Sequence, residues 1–194
     1  MPLAPTLCAI LLAACGGEGT GGDRGQKPGA GLRVFNLAGD LVDPFRTTNS
    51  SATVFIFVAT DCPISNRYAP EVRRIHAEFT PRRAAFWLVY PDRDTTAAAI
   101  QKHLKDYGYS IDALRDPEHS LVKLAGAKVT PEAVVFDRDG RRVYRGRIDD
   151  RYVDLGKERS GPTRRDLQEA LSALLAGKPV PAATTRAIGC YIAE

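Results

Sequence analysis

The sequence predicts an α/β fold, a central mixed sheet with helices packed on both of its faces. Three observations carry this prediction. Two short apolar runs, Thr53 to Ala59 and Ala84 to Tyr90, show no polar alternation, as strands buried on both faces do. The segment after each run switches to helical spacing. The order strand, helix, strand, helix, hairpin, helix is that of a layered α/β domain.

Taken along the chain, Val34 to Leu37 and Leu41 to Asp43 flank Ala38-Gly39-Asp40, a short opening hairpin. After the first buried strand, Ile64, Tyr68, Val72, Ile75 and Phe79 form one stripe of an amphipathic helix over 63–79. The second strand closes at Pro91-Asp92, and Ala97, Ile100, Leu104 and Tyr107 mark one face of a second helix. A short apolar piece spans Ile111 to Leu114, and a helical turn is expected near 118–125. Ala133 to Phe136 and Val143-Tyr144 flank Asp137-Arg138-Asp139-Gly140, a hairpin signal and not a calcium loop, because the further acidic ligands are missing at their spacing. A last helix spans 164–176, with Thr163 as N-cap, Asp166 three residues on, and Gly177 and Pro179 as stops. Residues 177–194 have no period and read as an extended tail.

The chain has 194 residues, enough for one domain with some excess. With 44% hydrophobic and 26% charged residues it has the composition of an ordinary globular protein, which excludes collagen-like, mucin-like and wholly disordered classes. A net charge of +4, with arginine pairs at 73–74, 82–83, 141–142 and 164–165 scattered over different elements, excludes a dedicated nucleic-acid binder. Asp149-Asp150 reads as a surface corner.

Leu7 to Ala14 is an eight-residue apolar run, too short to span a membrane but suited to a secretory signal. Leu12-Ala13-Ala14-Cys15 resembles the lipobox of bacterial lipoproteins, although Met1 to Thr6 carry no Lys or Arg. From Cys15 to Gly31, 8 of 17 residues are Gly, a composition that cannot bury enough surface to fold. The expected organisation is a signal peptide at 1–14, a lipid anchor at Cys15, a tether over 15–31, a domain over 32–176 and a tail over 177–194 carrying Cys190. The protein would then work outside the cytoplasm, facing the periplasm and held to a bacterial membrane only by lipid, where disulfides persist.

Four cysteines occur, at 8, 15, 62 and 190. No two lie at zinc-ribbon spacing, and no metal or cofactor is expected. Cys8 leaves with the signal, so two thiols remain in the mature domain. Cys62 stands between a buried strand and an amphipathic helix, with Pro63 suited to the first helical position. A sulfur so placed faces unpaired N–H groups and the positive end of the helix dipole, which favour the thiolate, the reactive form. Arg67 and Arg147 are candidates to add positive charge near it. His76, His103 and His119 have no ligand spacing and read as helix-face or polar-packing residues.

The segment Ala59-Thr60-Asp61-Cys62-Pro63-Ile64-Ser65-Asn66-Arg67-Tyr68-Ala69-Pro70 resembles the thioredoxin superfamily, with its strand, cysteine and helix and a proline eight residues after the cysteine. Val129-Thr130-Pro131-Glu132-Ala133 resembles the cis-proline loop of the same folds. The opening hairpin and the added helix resemble the redoxin branch, the alkyl hydroperoxide reductase/thiol-specific antioxidant group and its extracytoplasmic thiol-disulfide relatives. The resemblance implies a thioredoxin-like domain with an N-terminal hairpin extension and Cys62 as nucleophile. It further implies a Ser65 hydroxyl bonded to the sulfur, and Thr130 with Pro131 as the wall that faces substrate.

This sequence departs from three family activities. Ser65 stands where thioredoxin has its second cysteine. Ala59 and Phe55 stand where a peroxiredoxin keeps its hydroxyl and its proline. Asn66 stands where copper-delivering relatives keep a second cysteine. A dithiol cycle needs a second sulfur, and fully extended the stretch from Gly177 to Gly189 reaches roughly 40 Å. Cys190 is therefore the candidate resolving thiol. The alternatives are a permanent Cys62–Cys190 staple worth about 5 kcal/mol or two sulfurs that never meet. The expected function is thiol-disulfide exchange with a protein partner. Reduction of a small peroxide and a non-catalytic copper-holding assembly module are the alternatives.

Overall fold

The computed structural model describes residues 31–46 and 49–193. Cys8, the signal region 1–14, the Cys15 anchor and nearly all of the 15–31 tether lie outside the described residues. Among those described, no helix is long and apolar enough to cross a membrane.

The chain opens with β1 (Val34–Phe35) and β2 (Leu41–Val42), paired antiparallel. The side-chain carbonyl of Asn36 closes their turn by accepting from the N–H groups of Ala38 and Asp40. Then come β3 (Ala52–Phe57), the helices α1 (Pro63–Arg67) and α2 (Ala69–Phe79), and β4 (Ala84–Tyr90). Next are α3 (Ala97–Asp106), β5 (Ala113–Arg115), α4 (Ser120–Ala125) and β6 (Val129–Thr130). The hairpin β7 (Glu132–Asp137) and β8 (Arg142–Gly146) follows. After it stand β9 (Tyr152–Asp154) and β10 (Lys157–Glu158), then α5 (Asp166–Leu175) and, in the tail, β11 (Cys190–Tyr191).

Seven strands form one mixed sheet in the order β2-β1-β5-β4-β3-β7-β8. β3, β4 and β5 run parallel, and β7 lies antiparallel on the other side of β3. β3 is central and buried along its whole length, which is why its sequence shows no alternation. Its residues Val54 and Ile56 face a core shared with Val72, Ile75 and Phe79 of α2, Ile100 of α3, and Leu167 and Leu171 of α5. Phe55 and Phe57 face the opposite core, with Leu121 and Ala125 of α4. Helices therefore cover both faces, as the sequence predicts.

The structure departs from the sequence reading in four places. The stripe over 63–79 belongs to two helices, broken at Tyr68. Pro70 has no N–H for the carbonyl four residues back, and its ring crowds that carbonyl. The apolar piece at 111–114 becomes the third parallel strand, in register with Leu88 to Tyr90. The two-strand excursion β9–β10 had no signal in the sequence, because its side chains beyond Tyr152 are exposed and polar or isolated.

Asp149 and Asp150 are buried, 1% and 4% exposed, not a surface corner. Asp149 Oδ1 accepts from the Tyr68 hydroxyl at 2.6 Å and from the Arg151 N–H at 2.9 Å. Asp150 accepts from the N–H and hydroxyl of Thr163 at 2.7 and 2.5 Å and from the N–H of Arg164 at 2.9 Å. Thr163 is thus occupied and cannot cap the last helix, which starts later, at Asp166. Burial by itself raises the Asp150 carboxyl, but these donors and the Arg159 guanidinium outweigh it and hold the pKa at about 2. A group whose pKa is depressed on folding stabilises the fold above its unfolded value and loses that contribution as pH falls through the folded value. Thr163→Val is therefore expected to lower stability by about 1–2 kcal/mol at pH 7. Urea denaturation at pH 7 and pH 2.5 checks this, since the difference from wild type should shrink at the lower pH.

Candidate active site

β3 delivers the chain to a loop that ends at Cys62, the N-cap residue of α1, with extended backbone (φ −83°, ψ 110°) and Pro63 at the first helical position. The Asn66 N–H donates to the Cys62 carbonyl at 3.0 Å. Cys62 is 1% exposed. Its S–H donates to the carbonyl of Thr130 at 3.1 Å, and Thr130 is joined to Pro131 by a cis peptide bond. Cys62, Thr130 and Pro131 thus stand together.

The tail supplies the fourth member. Gly177 ends α5, its N–H donating to the carbonyl of Leu174 at 3.0 Å. The chain then runs beside β8, where the Arg145 N–H donates to the Ala183 carbonyl and the Thr185 N–H to the Arg145 carbonyl, each at 3.0 Å, and Thr185 Oγ1 meets the Tyr144 hydroxyl at 2.7 Å and the Arg147 N–H at 3.1 Å. Gly146 makes this approach possible: at φ +153°, a Cβ there would collide with Thr185. Beyond that clamp, β11 pairs antiparallel with β6, Cys190 opposite Thr130 and Tyr191 opposite Val129. The Ile192 N–H continues the ladder to Lys128 at 3.0 Å. Gly189 lies directly against the Thr130 carbonyl, in space that a Cβ would fill.

This pairing brings the Cys190 and Cys62 sulfurs to 2.9 Å, both as free thiols. In the dithiol the two S–H bonds run in series, Cys190 to Cys62 and Cys62 to the Thr130 carbonyl. Burial pushes the Cys62 thiol up, but the Cys190 thiol, the N–H and hydroxyl of Ser65, and the Cys190 N–H outweigh it and lower its pKa. The Ser65 hydroxyl is buried and has no partner while Cys62 is protonated, so the thiolate is the acceptor left for it. Cys190 is pushed up to about 11 by its burial, by its bond to Cys62, and by the negative charges of Cys62 and Asp61. The pair therefore gives up its first proton at Cys62.

Neither arginine proposed from the sequence serves the sulfur. Arg67 pairs with Glu158 at 2.5 Å, and Arg147 with Asp166 at 2.8 Å. What lowers Cys62 is its hydrogen-bond donors, the Cys190 thiol first and then Ser65. What sequence reasoning missed is a buried chain behind the loop. The Tyr90 hydroxyl meets His103 Nδ1 at 2.8 Å, His103 Nε2 meets Asn66 Oδ1 at 2.8 Å, and Asn66 Nδ2 donates to the Thr60 carbonyl at 3.1 Å. The one weak signal for it is the place of His103 on the buried stripe of α3, one turn after Ile100. Glu132, also missed, accepts from the N–H groups of Lys128 and Val129 and so fixes β6 from below. Among the described residues, no group of three or more His, Cys, Asp or Glu is placed to hold a metal ion.

A family model, the AhpC/TSA family, matches residues 35–144. No curated protein matches the chain in a sequence comparison. Among solved structures, an uncharacterized conserved protein from Geobacillus kaustophilus is 27% identical with a TM-score of 0.72, over 84% of this chain and 88% of that one. A hypothetical protein from Sinorhizobium meliloti is also 27% identical, with a TM-score of 0.71 over 82% of this chain and 88% of that one. MTB DsbF, solved in mixed oxidized and reduced forms, is 20% identical with a TM-score of 0.53, over 73% of this chain and 92% of that one. The fold is thioredoxin-like, with the opening hairpin added at one edge of the sheet.

Proposed function

The chain belongs to the AhpC/TSA family, and from that premise we propose that it is an extracytoplasmic thiol-disulfide oxidoreductase in which Cys62 is the nucleophile and Cys190 the resolving thiol. The observation that carries the reading is the 2.9 Å separation of the two sulfurs across the β6–β11 ladder. The lipobox-like Leu12 to Cys15 and the glycine-rich stretch behind it support a lipid-held site of action, in a compartment where a disulfide persists.

The Cys62 thiolate attacks one sulfur of a substrate disulfide, forms a mixed disulfide, and releases the first substrate thiolate. Cys190 then attacks the Cys62 sulfur, closes the Cys62–Cys190 bond, and releases the second thiolate, so two electrons pass from the protein to the substrate. Once Cys62 is in a mixed disulfide it no longer carries the charge that raises Cys190, so Cys190 loses its proton more readily at that step. Ser65 donates to the Cys62 thiolate whenever it forms. Because Cys62 lies under the tail, substrate reaches it when residues 189–192 lift from β6 while the clamp at Thr185 stays in place. Peroxide is the less suitable substrate. Ala59 and the buried Phe55 put no hydroxyl or loop proline at the positions a peroxiredoxin uses.

Oxidation in air followed by peptide mapping, then titration across a glutathione/glutathione disulfide series, tests the cycle. The expected result is one intramolecular Cys62–Cys190 bond that opens and closes reversibly within the series. A bond that resists the entire series would make the pair a structural staple, and no bond at all would sink the proposal.

A further inference from the structure

We propose that in the disulfide form the external reductant attacks Cys190, not Cys62, and that the cleft in front of Cys190 favours thiols carrying a positive charge. This rests on the cycle proposed above and names the donor that closes it. With the tail docked, Cys62 is 1% exposed and Cys190 is exposed. A thiolate must approach along the line of the S–S bond from the side of the sulfur it attacks, and of the two residues Cys190 is the one open to solvent.

Cys190 opens onto a cleft of about 430 Å³ whose lining includes Asp61, Asp92, Arg93, Asp94, His119 and Tyr191. Three carboxylates face one guanidinium. Asp92 accepts from the Asp94 N–H at 3.0 Å and the Thr95 hydroxyl at 2.6 Å, which fixes it as a carboxylate. The charge of Asp61 is felt at Cys190 itself. His119 Nε2 is taken up by the Pro91 carbonyl at 2.9 Å and is turned to the backbone. The cleft therefore carries a local negative excess, although the whole chain carries +4. The two scales make opposite predictions about a charged reductant.

The step balances as follows. The donor thiolate forms a bond to Cys190 Sγ, the Cys62–Cys190 bond breaks, and its electron pair stays on Cys62. Cys62 is the better leaving group, since its thiolate is the more stable of the two. A second donor thiolate attacks the donor sulfur of the mixed disulfide, releases the oxidised donor, and leaves Cys190 to take up a proton.

The test uses the full chain, oxidised with diamide, and three small reductants of similar size: cysteamine (cationic), 2-mercaptoethanol (neutral) and 2-mercaptoethanesulfonate (anionic). Rates are compared per thiolate at low ionic strength. Cysteamine is expected to react about tenfold faster than the sulfonate, with the neutral thiol between them and the spread narrowing in 0.5 M salt. Asp61→Asn and Asp94→Asn are each expected to cut the ratio at least about twofold. Quenching with iodoacetamide early in the reaction should place the donor adduct on Cys190 and the alkyl group on Cys62. An adduct on Cys62, or a sulfonate that reacts faster as the whole-chain charge predicts, overturns the inference and leaves the cycle standing. Failure of diamide to form the disulfide sinks both.

Discussion

Cys62→Ser is expected to lower disulfide-exchange turnover at least about a thousandfold. A hydroxyl at this position has no low-pKa anion to offer, and the Ser65 and Cys190 donors that stabilise a thiolate would have nothing to act on. The fold should survive, because the substituted atom is one of similar size facing the Thr130 carbonyl, to which a serine hydroxyl also donates. Reduction of a fluorescent disulfide peptide in the presence of excess dithiothreitol measures the loss, and thermal melting checks the fold. Cys190→Ser should behave differently. It leaves the first attack intact and traps the mixed disulfide on Cys62, visible by intact mass. Wild-type turnover in Cys62→Ser would remove the nucleophile from the mechanism altogether.

Gly189→Val is expected to slow closure of the Cys62–Cys190 bond at least about a hundredfold. The Cβ would meet the carbonyl oxygen and carbon of Thr130 and the nitrogen of Pro131, all backbone atoms that cannot turn aside. The conflict is one of space, so the tail must leave β6. Once it does, the resolving thiol changes from a neighbour at 2.9 Å to a group on a loose chain end. The main sheet does not include β11, and this end of the tail reaches the two large cores only through the partly buried Ile188 and Ile192, so the melting temperature should move little. Oxidation by diamide, followed by loss of free thiols, gives the rate. Iodoacetamide should at the same time label Cys62 faster than in wild type, since the cover is gone. Closure at the wild-type rate would show that something other than the β6–β11 ladder holds the sulfurs together.

How far the sequence reveals these features depends on the range of the interaction. That Cys62 heads a helix is a local matter, written in Phe57 to Pro63 and in the stripe that follows. The Thr130-Pro131 turn is likewise local and sits just ahead of an apolar strand. The place of Cys190 is not local. It depends on pairing with Thr130 across 60 residues, through a ladder of two residues whose side chains carry no periodic pattern. Asp150 misled because burial of a carboxylate is written in its partners, Thr163, Arg164 and Arg159, and not in the neighbourhood of the residue itself. The His103–Asn66 contact joins two helices that each look complete without it. In each case the energy of a polar group is decided not by its own segment but by one far along the chain.

The clamp at Thr185 and the register at Cys190 together make the tail a gauge of fixed length. Four residues, 186 to 189, separate the two fixed points. Because side chains alternate sides along a paired strand, one residue more or fewer between those points would turn the thiol away from Cys62. A gauge of this kind tolerates exchange of side chains at Arg186, Ala187 and Ile188 more readily than any change in their number. Spacing, more than composition, decides whether the two sulfurs meet.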